Sequence, residues 1–404
     1  MKTVDDYSFL GRRALVRVDF NVPLDKATLE VTDDTRIRAA LPTINKILND
    51  GGSVVLMSHL GRPLKGLKDG GVVDYGKYSL KLLAGPVAKL IGKDVKFASD
   101  CIGSGANELS SSLAPGEILL LENLRFYPEE EKGNEVFAGR LAEHGDVYVN
   151  DAFGTAHRAH ASTSIIAKFF PGRRMFGKLM AAEIRNAEKI MERADRPFTA
   201  IMGGAKVSDK IVILENLMKK ADHLVIGGGM AYTFLRTLGG QTGASICEND
   251  KLDLARDLLE KAKLRGVQVH LPADSIAADR FDVGANTQET PSDAIPDGWM
   301  GLDIGPGATS AFASVIRLSK TILWNGPMGV FEMKPFECGT KMVAQAVVDA
   351  TRNGAFSLIG GGDSAAAVNK FGMADKVSYV STGGGALLEY FEGKELPGII
   401  AMEE

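Results

Sequence analysis

In the second half of this 404-residue chain, glycines gather where apolar runs stop. "HLVI" (223–226) runs into Gly227, Gly228 and Gly229, "FSLI" (356–359) into Gly360, Gly361 and Gly362, and "VSYVST" (377–382) into Gly383, Gly384 and Gly385. A fourth run, "FTAIM" (198–202), ends in Gly203 and Gly204, with Lys206 and Lys210 close behind. Glycine lets backbone N–H groups come close to a ligand, and a helix opening just after the turn adds the positive end of its dipole. Such turns suit phosphate. They could equally serve tight packing of strand on helix, where glycine only removes a clash. Asp363 follows the second of these triplets directly. Beside a nucleotide it fits a magnesium ligand, since Mg²⁺ takes one or two carboxylates and otherwise water and phosphate oxygens. Its other role would be to cap a helix starting at Ser364. The loop "WNGPMGVFE" (324–332) is shaped by its glycines and Pro327, and Glu332 can accept from ribose hydroxyls. No GxxxxGK[ST] is present, and no GxGxxG follows the first strand with an acid about twenty residues on, so neither a P-loop nor a dinucleotide site is supported.

The first half carries cations at the same places. "RALVRV" (13–18) is followed by "DFNVP", "SVVLM" (53–57) by "SHLGRP", "EILLL" (117–121) by "ENLRF", and "DVYV" (146–149) by "NDAFGTAHRAHAS". Arg36 opens the first helical stretch. Arg36, Arg62, Arg125 and Arg158 therefore fall at one rim of a sheet, joined by Asp19, Asn21, His59, His157 and His160. Clustered arginines repel one another, and a bound polyanion relieves that, because the guanidinium fork matches phosphate and carboxylate. The alternative is that each arginine pairs with a nearby acid such as Glu122 or Asp151. No further ligand set accompanies His157 and His160, so a metal site there is not indicated.

These residues need strand ends to hold them. Short β-branched runs alternate with amphipathic stretches at 35–49, 78–91, 135–143, 250–264 and 338–352, which predicts parallel sheets with helices on both faces. Eleven strand candidates are many for one sheet, so two α/β domains are the economical reading. "KLMAAEIRNAEKIMER" (178–193) predicts a long helix near mid-chain that joins them. The expected division is 1–174 and 175–390. A net charge of −4 offers no global field for nucleic acid. Three dispersed cysteines, Cys101, Cys247 and Cys338, fit a reducing compartment. The N-terminus has no apolar signal core and no apolar run approaches 18 residues, which predicts a soluble, cytoplasmic chain without membrane partners.

Taken together, "RVDFNVP", "HLGRP", "LLENLRF", "DAFGTAHRAH", "GGAKVSDK", "WNGPMGVFE", "GGGDS" and "STGGGA", in this order along the whole chain, resemble the phosphoglycerate kinase family. The resemblance implies an α/β fold of two doubly wound, Rossmann-like domains separated by a cleft, with the tail 391–404 returning to the first. It implies that the first domain holds 3-phosphoglycerate or 1,3-bisphosphoglycerate through Asp19, Phe20, Asn21, Arg36, His59, Leu60, Gly61, Arg62, Arg125 and Arg158. It implies a second domain holding MgATP or MgADP through Gly203, Lys206, Lys210, Gly228, Asn325, Pro327, Glu332, Gly360, Gly361, Gly362, Asp363 and Ser364, with Asp363 towards the metal. Arg36, Lys206 and the N–H groups of Gly383, Gly384 and Gly385 are implied to act on the transferring phosphoryl, in a monomeric enzyme of glycolysis and gluconeogenesis that closes at a hinge. One departure is visible: this chain has Leu387 where the family typically shows serine. A kinase acting on a neutral hydroxyl would need a base and fewer cations at the acceptor. A silent nucleotide-binding relative would have lost Arg36, Lys206 or Asp363.

Overall fold

The structure is a computed structural model that describes residues 1–67 and 72–403. Glu404, the end of the expected returning tail, lies outside the described residues. Contacts divide the chain into Met1–Arg185 with Glu395–Glu404, and Asn186–Lys394.

The first unit is built on six parallel strands: β1 (Arg13–Val18), β2 (Ser53–Met57), β3 (Val95–Phe97), β4 (Ile118–Leu120), β5 (Val147–Asp151) and β6 (Arg174–Phe176). Their spatial order is β3-β4-β2-β1-β5-β6. β2 and β5 are buried at every position, as expected of strands covered on both faces. The helix Thr35–Asn49 lays Ile37, Ala40, Ile44 and Ile47 on this sheet at helical spacing, in one core with Val16, Val18, Val54 and Leu56. The strand order reverses at β1, with β2 on one side and β5 on the other. A doubly wound sheet offers its ligand crevice beyond the carboxyl ends at that switch.

The second unit repeats the plan with β7 (Phe198–Met202), β8 (His223–Ile226), β9 (Gln268–His270), β10 (Thr321–Asn325), β11 (Phe356–Gly360) and β12 (Tyr379–Val380), in the order β9-β8-β7-β10-β11-β12. Every pairing is parallel. The switch point lies between β7 and β10, the strands that end in Gly203–Gly204 and in Asn325. A smaller antiparallel sheet, Asp274–Ala278 between Thr287–Pro291 and Met300–Ile304, stands beside it.

Several sequence expectations need adjustment. The stretch 78–91 is two helices, Tyr75–Tyr78 and Lys81–Ile91, because Ser79 is extended and Glu122 accepts from both Ser79 Oγ (2.6 Å) and Leu80 N (2.8 Å). β6 and the antiparallel sheet were not expected: "RMF" is too short, and "DSIAA" and "TQETP" lack a β-branched run. The contact boundary falls at Arg185, inside the helix Lys178–Glu192, and not at 174/175. The start of that helix is tied to the first unit through Lys178 N on Thr43 Oγ1 (2.8 Å) and Met180 N on Asp151 Oδ1 (3.1 Å). At the other end the chain rejoins the first unit at Glu395, later than the expected 391. Gly398 N then donates to Ala156 O at 2.8 Å, and Asn150 Nδ2 to Gly398 O at 3.2 Å. Among the described residues no helix is long and apolar enough to cross a membrane.

Candidate functional site

In the first unit, the loops after β1, β2 and β4 are laced to one another. Phe20, buried after β1, donates its N–H to Ser58 Oγ after β2 at 2.8 Å. Asn21 Oδ1 accepts from Gly61 N at 2.8 Å. Buried Asn123, after β4, donates from Nδ2 to Leu60 O and Tyr78 O, both at 2.8 Å, and its Oδ1 accepts from Arg125 N at 3.0 Å. Arg125 Nη1 then reaches Gly61 O at 2.8 Å. A single asparagine thus sets the "HLGRP" loop and the arginine beside it.

The acids beside these arginines are mostly engaged elsewhere. Glu122 accepts from Ser79 Oγ, Leu80 N and Asn123 N, and Asp151 from Met180 N, so neither neutralises the rim as the pairing alternative required. Asp19 does bind Arg36 Nη1 at 2.5 Å, and Glu131 lies 3.3 Å from Arg125 Nε. Arg62 and Arg158 have no carboxylate partner among the described residues, and Arg158 Nε donates to His157 Nε2 at 3.0 Å. Burial pulls the Arg125 pKa down to about 10 against the pull of Glu131, and it pulls His160 down to about 3 with help from the neighbouring arginines. His59 is likewise held well below its ordinary value by burial and by Arg17, Arg125 and Arg36. The rim carries cations in excess, and burial beside those cations keeps His59 and His160 neutral.

Three participants were missed in the sequence. Arg17, inside "RALVRV", is fully buried; Glu130 and Ser162 are buried beside it. For Arg17 the available signal was a charged residue in the strand interior, flanked by apolar neighbours on both sides.

In the second unit, backbone bonds knit the loops after β7, β8 and β10. Gly203 N donates to Asn325 O (2.9 Å), Gly204 N to Pro327 O (3.1 Å), Gly228 N to Met328 O (3.0 Å) and Met230 N to Gly204 O (3.0 Å). A Cβ on Gly203 would overlap the Pro327 carbonyl oxygen, so packing accounts for that glycine. Gly362 and Gly385 are different: a Cβ there would meet nothing within 4 Å, so packing does not account for them. Gly361 has φ +90°, which a side chain rarely adopts, and caps the helix Gly362–Lys370.

Asp363 therefore lies in the first turn of that helix, which has no side-chain cap, and the capping role does not apply. Its carboxylate is exposed. Ser364 is buried and accepts from Gly326 N at 2.6 Å. Asn325 Nδ2 donates to Gly360 O at 2.9 Å, joining the β10 and β11 ends. Leu387 is fully buried, with its Cδ2 at 2.7 Å from the Cβ position of Gly360, so the residue that departs from the family pattern fills space under that glycine turn.

The two lysines part company. Lys210 Nζ donates to Gly203 O (2.7 Å), Asn325 O (3.0 Å) and Asn325 Oδ1 (2.6 Å), which uses all three of its protons. Burial lowers its pKa to about 8, opposed by Asp363 and Asp209. Lys206 is exposed and has no partner among the described residues. Its loop is held by Glu248, which accepts from Val207 N (2.6 Å) and Ser208 N (3.0 Å).

Beside these groups opens a cavity of about 640 Å³. Gly204, Gly228, Pro327, Glu332 and Asp363 line one part, and Ile246, Phe281, Leu302 and Met328 give the rest an apolar wall. Such a wall suits a flat base, with the polar rim left for ribose and phosphates. Of that wall only Met328 falls in a quoted motif; Ile246, Phe281 and Leu302 come from separate loops and the small sheet. Gly383 N donates to Ser381 Oγ at 3.0 Å, and the helix Gly385–Phe391 opens just beyond.

Residues 4–394 match the family described as phosphoglycerate kinase. A phosphoglycerate kinase of Porphyromonas gingivalis is 53% identical, covering 99% of this chain and 100% of the relative. One of Chloroherpeton thalassium is 52% identical, covering 99% of this chain and 98% of the relative. A chloroplastic phosphoglycerate kinase of Volvox carteri is 51% identical, over 98% of this chain and 84% of the relative. The solved structure of phosphoglycerate kinase from Coxiella burnetii superposes with a TM-score of 0.86 at 39% identity, covering 99% of this chain and 98% of that one.

Proposed function

The chain belongs to the phosphoglycerate kinase family, and from that premise we propose how its residues divide the reaction. It catalyses reversible phosphoryl transfer between 1,3-bisphosphoglycerate and ADP, giving 3-phosphoglycerate and ATP. The first unit holds the phosphoglycerate. Asp19 and Asn21 orient it, the Phe20, Leu60 and Gly61 backbone shapes the floor, and His59, Arg36, Arg62, Arg125 and Arg158 donate to its anionic groups. The second unit holds the nucleotide. Its base lies on the apolar wall, Glu332 accepts from the ribose, Gly203 and Gly228 shape the loops beside the cavity, and the N–H groups of the turn Gly360 to Gly362 meet the phosphates. Asn325, Pro327, Ser364 and Lys210 fix these loops. The single observation that carries this division is the contrast between the two crevices: cations in excess of acids at one, bare glycine turns beside an apolar cavity at the other.

The residues present fit a nucleotide-bound Mg²⁺. Asp363 offers one exposed carboxylate without a hydrogen-bond partner among the described residues, and no group of three metal-ligating side chains forms a protein-only site among them. Asp363 would hold the ion, which when bound supplies positive charge to the phosphate oxygens. The acceptor is a carboxylate, ionised near neutral pH, so no base is required. Arg36, Lys206 and the N–H groups of Gly383, Gly384 and Gly385 stabilise the charge on the equatorial oxygens. Because each substrate belongs to its own unit, transfer requires hinge closure, with the helix Lys178–Glu192 as the connecting element. A cytoplasmic monomer that binds neither nucleic acid nor membrane completes the reading, consistent with a net charge of −4.

A coupled assay for ATP- and Mg²⁺-dependent consumption of 3-phosphoglycerate tests it, with a hexose as the control acceptor; turnover of the hexose in preference would overturn it. Asp363→Asn should weaken binding of Mg²⁺-nucleotide on the order of tenfold, one charge-assisted contact, and leave phosphoglycerate binding nearly intact. Calorimetric titration of each ligand decides, and equal losses would make Asp363 a fold residue.

A further inference from the structure

Arg17 lies two residues before Asp19 and is fully buried. Its Nε donates to Ser162 Oγ at 2.9 Å, its Nη1 to the Val18 carbonyl, and its Nη2 meets His59 Nδ1 at 3.1 Å. A guanidinium stays protonated in proteins and has no acceptor atom, so the polarity of every one of these bonds is fixed. His59 Nδ1 must offer its lone pair, and the single proton of the neutral ring must sit on Nε2. Nε2 has no hydrogen-bond partner among the described residues.

The surroundings hold this arrangement in place. Ser162 Oγ accepts from Arg17 and so gives its own proton to Glu130 Oε1 at 2.6 Å, while Ser162 N donates to Glu130 Oε2 at 3.0 Å. The chain of bonds runs one way, from guanidinium to carboxylate. The competing arrangement would give His59 an Nδ1 proton shared with Asp19. Asp19 Oδ1 stands 3.9 Å from Nδ1, too far for a hydrogen bond, and the other oxygen is taken by Arg36. Beyond Arg17, the groups that act most strongly on His59 are Arg125, Arg36 and His160. None of them is an anion that would favour a cationic ring.

We propose that Arg17 is a positioning residue that fixes His59 as the neutral Nε2–H tautomer, so that His59 meets phosphoglycerate as a hydrogen-bond donor. With the other tautomer, Nε2 would turn a lone pair towards an anion. The consequence for substrate rests on the reading of the arginine rim given above; the tautomer itself is a property of the free protein.

The test is a two-bond ¹H–¹⁵N spectrum of the histidine-labelled wild-type protein, with the His59 ring identified by its loss in His59→Gln. The expected result is a bare Nδ1 and a protonated Nε2 from about pH 6 to about pH 9. A protonated Nδ1, a mixture of tautomers, or titration of the ring in that window would overturn the proposal. Arg17→Met should release the ring to a tautomer mixture. It should also raise KM for phosphoglycerate on the order of tenfold, with a pH dependence the wild type lacks and kcat less affected. Because Arg17→Met strands the buried Glu130, the same spectrum is taken on Arg17→Met paired with Glu130→Gln. An unchanged His59 spectrum in both variants would remove Arg17 as the cause. Phosphoglycerate added to the wild type should shift Nε2. A correct tautomer with no such shift would overturn the placement of the substrate while leaving the Arg17 inference standing.

Discussion

Lys206→Ala should lower turnover by on the order of 10²–10³ while leaving nucleotide affinity nearly unchanged. The expectation comes from the contrast with Lys210. Both lysines follow the Gly203–Gly204 turn, yet Lys210 spends its three protons on Gly203 O, Asn325 O and Asn325 Oδ1. Lys206 spends none on the described protein and stands exposed. An ammonium that gives up no internal bond can move onto charge that develops during transfer. An ammonium already in a carbonyl cage must first break that cage. The Lys206 loop is also anchored, through Glu248, at Val207 N and Ser208 N, so truncating one side chain should leave the backbone where it is. The measurement is kcat and KM for both substrates in the purified variant. Near-normal turnover would remove Lys206 from the catalytic set, and a loss confined to KM for nucleotide would make it a binding residue.

The candidate residues at the strand ends were legible because their pattern is local. A glycine turn after an apolar run, or an arginine just past a strand, announces itself within a few residues, and the doubly wound order then gathers such turns at one edge. What stayed hidden depended on long-range partners. Nothing near Lys210 in sequence reveals the Asn325 oxygens more than a hundred residues away that enclose it. Arg17 read as one more strand residue, since Ser162 and His59 come to it from distant loops. The apolar cavity wall draws on Ile246, Phe281 and Leu302, which are scattered single residues without a shared period. Glycine, finally, is one letter with two uses. Only its neighbours separate a packing role, as at Gly203, from open space, as at Gly362.

Arg36→Ala and Arg62→Ala should fail in different ways. Arg36→Ala should depress kcat on the order of 10³, as expected when a guanidinium that acts on the phosphoryl in flight is removed. Arg62→Ala should mainly raise KM for phosphoglycerate, on the order of tenfold, because it removes a grip made equally in ground and transition states. Arg36 binds Asp19 through one nitrogen only, which leaves its other donors for substrate. Its removal also strips Asp19 of its counter-charge, so Arg36→Lys is the needed companion: it keeps the charge and loses the fork. If Arg36→Lys recovers affinity but not turnover, geometry at the phosphoryl is what Arg36 supplies. The same assignment demands that the two substrates meet, since each is held by its own unit. Solution scattering should therefore show a smaller radius of gyration with both ligands bound than with either alone. Matching kinetic signatures for the two alanine variants would sink the division of roles. An unchanged radius with both ligands present would sink closure, because a phosphoryl group cannot pass between substrates that the protein never brings into line.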